Sequence, residues 1–165
     1  MRVEERSGAL VVVDFNELEA YKIAMRIEGD GIAFYEALAG RVTDGSARQA
    51  VLSLAREERD HLDFFRGELE RIKEAKEDPF EEDDLATALD YGIFAPYRDL
   101  AAAVRDPRKA LTLGVLVEER TAQFYAACRD RVSSEDTKRA LDRILAEERA
   151  HALCLAGMRD AIRKA

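Results

Sequence analysis

Apolar side chains recur at helical spacing in four stretches of the chain, which turn and capping residues separate. The first stretch begins near Asp14, where Asp14 and Glu17 predict a capping box, and it ends near Gly40. The second follows the turn at Asp44–Ser46 and continues to about Lys76. Because the turn between them is short, the two stretches predict a pair of antiparallel helices.

The second half of the chain predicts another helix pair. Asp106-Pro107 marks the start of a third helix, because Asp caps a helix and Pro fits its first turn. Ser133 or Ser134 can cap a fourth. The prolines and acidic run of residues 77–106 predict a crossover, with short helices at Leu85–Phe94 and Tyr97–Val104. We therefore predict an all-α antiparallel four-helix bundle with one long crossover.

The bundle is predicted to span residues 14–165 as one domain, preceded by an N-terminal arm at 1–13. For this arm the pattern leaves open a loose segment or a short docked strand. Inside the bundle the chain aligns to itself without a gap when it is shifted by 90 residues. Two copies are too few for a solenoid, so we interpret them as duplicated helix pairs closing into one bundle. Matching pairs are Glu28 with Glu118, Phe34-Tyr35 with Phe124-Tyr125, Glu58 with Glu148, and His61 with His151.

The chain has two histidines, and each closes a Glu-x-x-His sequence on a predicted helix. Residues three apart share one helix face, so each sequence sets a carboxylate beside an imidazole, which is half of a divalent metal site. The glutamates of the partner helices lie on the inward faces, at similar distances from the hairpin turns. All four glutamates and both histidines can therefore meet in one layer. This predicts a site of six residues: Glu28, Glu58, His61, Glu118, Glu148 and His151.

Four carboxylates buried without counter-charge would be costly, and two divalent cations would balance them. Carboxylates with neutral imidazoles suit iron or manganese better than zinc, so we predict two iron ions, with manganese as an alternative. Glu57 and Glu147 also recur at the 90-residue offset. They fall off the inward face, and we predict them in solvent or in surface ion pairs. Glu119 lacks a carboxylate counterpart, because the shift places it on Gly29.

Tyr35 and Tyr125 lie two turns from Glu28 and Glu118 on the same helix faces. Two interpretations stay open: core tyrosines with satisfied hydroxyls, or phenols that donate to a ligand carboxylate or take part in redox chemistry. The two cysteines are predicted to be too far apart along the second hairpin to form a disulfide.

Composition limits the classes of partner. The net charge of −8, without a basic stripe, argues against nucleic acid. No segment approaches the ~20 apolar residues of a membrane helix, so we expect no membrane partner. The N-terminus lacks the basic start and long apolar run of a signal peptide, so we expect a cytoplasmic protein.

The six residues, the repeated Phe-Tyr pairs and the sequence Tyr91-Gly-Ile-Phe94 in the crossover resemble rubrerythrin-like, ferritin-like di-iron carboxylate proteins, over residues from about 16 to 160. The resemblance implies a ferritin-like fold with one imidazole for each iron. Glu58 and Glu148 then resemble bridging carboxylates, and Glu28 and Glu118 terminal ones.

The chain departs from that family in two respects. It cannot supply the four cysteine ligands of a rubredoxin module. Val115 and Thr121 stand where an extra glutamate on the third helix would lie, so the ligand set is symmetric and closer to that of bacterioferritin. A ferritin-type cage is not expected, because no fifth helix follows the fourth.

The resemblance implies an oxidoreductase that reduces hydrogen peroxide, or dioxygen, at a non-haem di-iron centre. Its electrons would come from a separate donor protein, since the rubredoxin module is missing. The alternative is an iron-binding protein or ferroxidase that buffers or detoxifies iron. We also expect a homodimer.

Overall fold

The computed structural model describes residues 2–7, 9–13, 15–76 and 106–162. Its helices are α1, Glu17–Ala39, α2, Gly45–Lys76, α3, Pro107–Arg129, and α4, Glu135–Ile162. Helix α1 packs mainly on α2, and α3 mainly on α4. The two hairpins close into one bundle, which confirms the predicted all-α four-helix architecture. The short helices predicted in the crossover lie outside the described residues.

The N-terminal segment forms a β-hairpin that docks on the bundle. Strand β1, Arg2–Arg6, pairs antiparallel with β2, Ala9–Val13, and Ser7 in the turn has a φ of 53°. Strand β2 lies against α3, and its Val12 is buried. The guanidinium of Arg131 donates to the Val12 carbonyl at 3.4 Å. Of the two alternatives for this arm, the structure therefore shows the docked strand, as one half of a hairpin.

Helix α1 begins at Glu17, so the capping box predicted at Asp14 is wrong. The N-cap is Asn16, whose side-chain oxygen accepts from the backbone N–H groups of Leu18, at 3.1 Å, and Glu19, at 3.3 Å. Asparagine caps a helix as well as aspartate does, so a second capping residue two positions later shifts the start. Glu17 instead accepts the hydroxyl hydrogen bond of Tyr21 at 2.7 Å.

The other predicted caps are confirmed. Asp44 accepts from the N–H of Ala47 at 2.7 Å, and Asp106 caps α3 with Pro107 in the first turn. Of the two serines before α4, Ser134 accepts from the N–H of Thr137, at 3.2 Å. These bonds satisfy N–H groups that have no partner inside the helix, and each such cap stabilises its helix by about 1 kcal/mol.

The apolar stripes of the four helices meet in a shared core. Gly114 allows α3 to approach its neighbours closely, because a Cβ there would lie 2.9 Å from Leu155 Cδ1 and 3.1 Å from the Phe34 ring. Within the described part of the chain, none of the helices combines the length and apolar character that crossing a membrane requires. The structure describes a single chain, so the homodimer stays a prediction.

Candidate metal centre

The bundle brings all six residues of the predicted site together. Helices α1 and α3 each contribute one glutamate, and α2 and α4 each contribute a glutamate and a histidine one turn later. All six side chains belong to residues that are 4% exposed or less. The layer predicted from the two Glu-x-x-His sequences and their partner glutamates is therefore present, with every member facing inward.

The six side chains form two overlapping clusters. One contains Glu28, Glu58, His61 and Glu148, and the other Glu58, Glu118, Glu148 and His151. In each cluster the candidate ligand atoms lie within 4.8 Å of one another. Glu58 and Glu148 belong to both clusters, whereas each histidine and each of the other glutamates belongs to one.

The distances within the clusters reflect this sharing. Glu58 places one carboxylate oxygen 3.3 Å from His61 Nδ1 and the other 3.2 Å from His151 Nδ1. Glu148 spans the same two nitrogens at 3.2 and 3.7 Å. Both carboxylates therefore lie between the imidazoles, with one oxygen directed to each cluster, as a carboxylate shared between two cations requires.

Several polar atoms of the clusters are buried without a hydrogen-bond partner. Within the described residues, these are Glu58 Oε2, both carboxylate oxygens of Glu148, and the Nδ1 atoms of His61 and His151. An unpaired buried polar atom costs about 1–3 kcal/mol, and such atoms are rare in native proteins. All five are electron-pair donors that two divalent cations would use, so the residues present fit a dinuclear metal centre.

The electrostatics of the metal-free cluster also indicate a missing positive charge. Burial, and then the charge of Glu58, raises the pKa of Glu28 well above its ordinary value and that of Glu118 to about 7. Burial followed by repulsion from the other carboxylates raises the pKa of Glu148 as well. Burial also opposes charge on Glu58, but hydrogen bonds with Glu28 and the histidines outweigh it and lower its pKa.

The surroundings favour the charged form of the two histidines, whereas they favour the neutral form of Glu28, Glu118 and Glu148. Burial alone would lower their pKa, but the cluster carboxylates, whose oxygens lie 3.2–3.8 Å from the two Nδ1 atoms, raise the pKa of His151 to about 9 and that of His61 further. In the metal-free chain the imidazolium groups therefore supply part of the positive charge that cations would otherwise supply.

The outer nitrogens of the two histidines bind glutamates that the sequence placed on the surface. His61 Nε2 donates to Glu147 Oε2 at 2.9 Å, and His151 Nε2 donates to Glu57 Oε2 at 3.0 Å. The glutamate side chains are 38% and 42% exposed. Each bond joins α2 to α4, and each fixes the histidine so that its Nδ1 faces the cluster.

The prediction that Glu57 and Glu147 serve only solvent or surface ion pairs is therefore wrong. The helical pattern places them off the inward face of their own helices, and it does not show that this edge faces the neighbouring helix. Their recurrence at the 90-residue offset, four positions before each histidine, was the available signal.

The two tyrosines that recur at the 90-residue offset contact the cluster across the hairpins. The hydroxyl of Tyr35 donates to Glu118 Oε1, and the hydroxyl of Tyr125 donates to Glu28 Oε1. Both phenols are almost fully buried. Of the two interpretations open for them, the donor to a cluster carboxylate agrees with the structure, and each tyrosine orients the glutamate of the opposite hairpin.

We expect Glu147→Ala to weaken the metal site that contains His61 by roughly 10–100-fold in affinity, because His61 loses the acceptor that orients it. Glu57→Ala should do the same at His151. Calorimetric titration of metal-free protein with Fe²⁺ under anaerobic conditions measures both. Glu119→Ala is the matched control, since Glu119 is an exposed glutamate of α3. Equal affinities in all three variants would contradict the assigned role.

Comparison with known proteins agrees with this geometry. The model of the Rubrerythrin family matches residues 19–158, which include most of each helix and all six cluster residues. Searches of curated proteins and of solved structures gave no match. The matched range covers most of the chain and contains a buried cluster of glutamates and histidines compatible with the iron that this family binds. The chain therefore belongs to the rubrerythrin family.

Proposed function

We propose that the protein is a di-iron oxidoreductase that reduces hydrogen peroxide to water with electrons from a separate donor protein. The observation that carries the proposal is the pair of buried clusters sharing Glu58 and Glu148. Shared carboxylates hold two cations close enough to act on one small molecule. Two bound ferrous ions would supply the two electrons that, with two protons, convert one peroxide molecule into two water molecules.

The protein side chains would hold the ions in place. Glu58 and Glu148 would set the separation of the two positions, while Nδ1 of His61 and of His151 would supply one nitrogen to each. Their Nε2 hydrogen bonds to Glu147 and Glu57 prevent the rings from turning away. The site is therefore preorganised by contacts that reach from one hairpin to the other.

Tyr35 and Tyr125 hold protons beside the cluster. Burial, and then the negative charge of Glu118, raises the pKa of Tyr35 well above its ordinary value, so its hydroxyl keeps its proton and remains a donor to Glu118 Oε1. Tyr125 makes the same bond to Glu28 Oε1. The outer carboxylates are therefore oriented by neutral donors, which add no charge to the site.

The space beside the cluster between α1 and α3 suits a very small substrate. A cavity of about 10 Å³ lies between α1 and α3, where it is lined by cluster glutamates together with Gly31, Val117 and Thr121. That volume corresponds to roughly one water molecule. Peroxide or dioxygen can be accommodated after small movements of the lining, whereas a larger organic molecule would have to separate the helices.

The second candidate function is iron oxidation for buffering or detoxification. The observation in its favour is the symmetric ligand set. Thr121, one turn beyond Glu118, is buried and lines the small cavity, so this position adds no further carboxylate. Iron that is oxidised in a symmetric site and then released would make this protein a ferroxidase.

Stopped-flow mixing of anaerobic di-ferrous protein with each oxidant separates the two functions. We expect hydrogen peroxide to oxidise the centre faster than dioxygen does, with both ions retained for re-reduction by an added electron donor. Val115→Ala, one turn before Glu118 on α3, serves as a control for general changes in packing. Faster oxidation by dioxygen, with iron then leaving the protein as mineral, would favour the ferroxidase instead.

A further inference from the structure

A cavity of about 730 Å³ lies at one end of the bundle, where the α1–α2 loop meets the start of α3 and the end of α4. The six cluster residues are not among the described residues that line it, so this cavity is separate from the metal centre. Its volume falls in the range of ~300–1,000 Å³ that small-molecule sites occupy. Most of its wall is apolar and includes Leu38, Val42, Leu111, Met158 and Ile162.

The internal duplication provides an equivalent place for comparison. The 90-residue shift places the cavity wall on the α3–α4 loop, the start of α1 and the end of α2, which we call the covered corner. It places Val42 on Val132 and Ile162 on Ile72. Val132 and Ile72 are 3% and 7% exposed, whereas Val42 is half-buried and Ile162 is 46% exposed. The same two side chains are therefore buried in the covered corner and left open to the cavity.

Strand β2 reaches the covered corner. The Arg131 guanidinium donates to the Val12 carbonyl there at 3.4 Å, and Val12 is itself buried. The counterpart of Arg131 in the other repeat is Arg41, which lines the cavity. The covered corner therefore shows what this architecture accommodates: an apolar group with an oxygen that accepts a hydrogen bond from the arginine.

The cavity has a second guanidinium group, because Arg108 lines it where the covered corner has Leu18. Neither Arg41 nor Arg108 forms a side-chain hydrogen bond or an ion pair with another residue in the described ranges. Asp44 and Asp106 also line the cavity, but their carboxylates accept from backbone N–H groups at the starts of α2 and α3. Two guanidinium groups without partners suit a carboxylate better than the neutral carbonyl of the covered corner.

The wall of the cavity is also more aliphatic than the covered corner. Met158 and Leu111 take the places that Glu68 and Tyr21 have there. In the covered corner Glu68 accepts a hydrogen bond from the Thr137 hydroxyl at 2.9 Å, so its polar group has a partner within the protein. The cavity has apolar side chains at both positions, and a hydrocarbon packed on them would remove their surface from water.

We infer that this cavity binds a long-chain aliphatic carboxylate. The hydrocarbon chain lies on Val42, Met158 and Ile162, and the carboxylate lies between Arg41 and Arg108. The bound chain covers the side chains that the protein itself buries in the covered corner. The inference goes beyond the proposed function and does not depend on it.

Nuclear magnetic resonance of methionine methyl groups locates the ligand. The full-length protein, loaded with diamagnetic Zn²⁺ and labelled with ¹³C at its three methionine methyl groups, is titrated with decanoate. We expect the signal of Met158, assigned with Met158→Leu, to shift to saturation, while that of Met25, which packs on the core from α1, stays unchanged. Acetate, which lacks the chain, should shift neither signal. Calorimetric titration should show decanoate binding roughly tenfold more tightly than decanol, which lacks the charge.

Three variants test the assigned contacts. Combining Arg41→Gln with Arg108→Gln should lower the affinity for decanoate by roughly tenfold and leave that for decanol unchanged, because only the carboxylate loses its charged donors. Arg48→Gln, at an exposed arginine of α2 outside the cavity wall, is the matched control and should change neither affinity. Ala161→Trp fills the cavity from an exposed position and should abolish binding of both ligands.

Equal affinities for decanoate and decanol, or decanoate binding without a shift of the Met158 signal, would overturn the inference. A dimer in sedimentation equilibrium that Ala161→Trp separates into monomers, with a Met158 signal that ignores decanoate, would show that a second copy covers the cavity instead. Both results would leave peroxide reduction standing, since that depends on stopped-flow measurements of the iron protein.

Discussion

Replacing Glu58 by alanine should remove both metal ions, whereas replacing His61 by alanine should weaken mainly one. The reason is geometric: Glu58 directs one oxygen to each cluster, while His61 belongs to only one of them. Elemental analysis after anaerobic reconstitution should therefore give close to zero ions per chain for Glu58→Ala and about one for His61→Ala. The unmodified protein should hold two, one for each cluster.

Two further variants test whether loss of metal in Glu58→Ala reflects loss of a ligand or collapse of the core. Glu58→Gln keeps the side-chain volume and should lose the metal to a similar extent, which separates loss of a ligand from collapse of the core. Glu119→Ala should retain both ions. A Glu58→Ala protein that binds one ion with unchanged affinity would show that the carboxylate is not shared.

The metal-free protein should be most stable at mildly acidic pH, and the metal-loaded protein at neutral pH. Folding raises the pKa of Glu118 from 4.5 to about 7 and that of Glu28 and Glu148 as well, chiefly because burial disfavours their charge. A group with a raised pKa binds its proton more tightly in the folded state. Its contribution to stability is therefore present at low pH and is lost as pH rises towards the folded value.

For Glu118 alone the loss between pH 4.5 and 7 corresponds to about 3 kcal/mol, at 1.36 kcal/mol for each unit of pKa. The histidines change the stability of the metal-free protein in the same direction. The pKa of His151 is raised to about 9, so its stabilising contribution is lost only as the pH rises towards that value. Metal binding requires deprotonated ligands, so acid releases the ions and reverses the trend in the loaded protein.

Urea unfolding of both forms between pH 5 and pH 8 measures these opposite slopes. Glu148→Gln removes one of the mutually repelling carboxylates, so the metal-free variant should be more stable than the parent at neutral pH and less dependent on pH. Parallel slopes for the metal-free and metal-loaded proteins would contradict the charge-cluster interpretation.

The sequence predicts the parts of this molecule that depend on helical periodicity. Glu58 with His61, and Glu148 with His151, are close because of their spacing on one helix, and the short loops bring Glu28 and Glu118 to the same layer. The similar distances of these glutamates from the hairpin turns were sufficient to predict the shared layer. The caps at Asp44, Asp106 and Ser134 follow from local chemistry in the same way.

Contacts between helices from different hairpins are harder to read from the sequence. The bond from His61 to Glu147 joins two helices whose relative rotation depends on packing, and a helical pattern describes one helix at a time. Tyr125 and Glu28 are also 97 residues apart in sequence. The hairpin of β1 and β2 depends on its contact with α3, which a short apolar run does not reveal.

The sharing of Glu58 and Glu148 has a consequence for how the two halves of the chain depend on each other. Each cluster takes three ligands from one hairpin and its fourth from the other. A single hairpin is therefore an incomplete chelator, and affinity for the ions is in part affinity of one hairpin for the other. Bound metal ions would act as a reversible cross-link, so their supply would set how firmly the two repeats hold together.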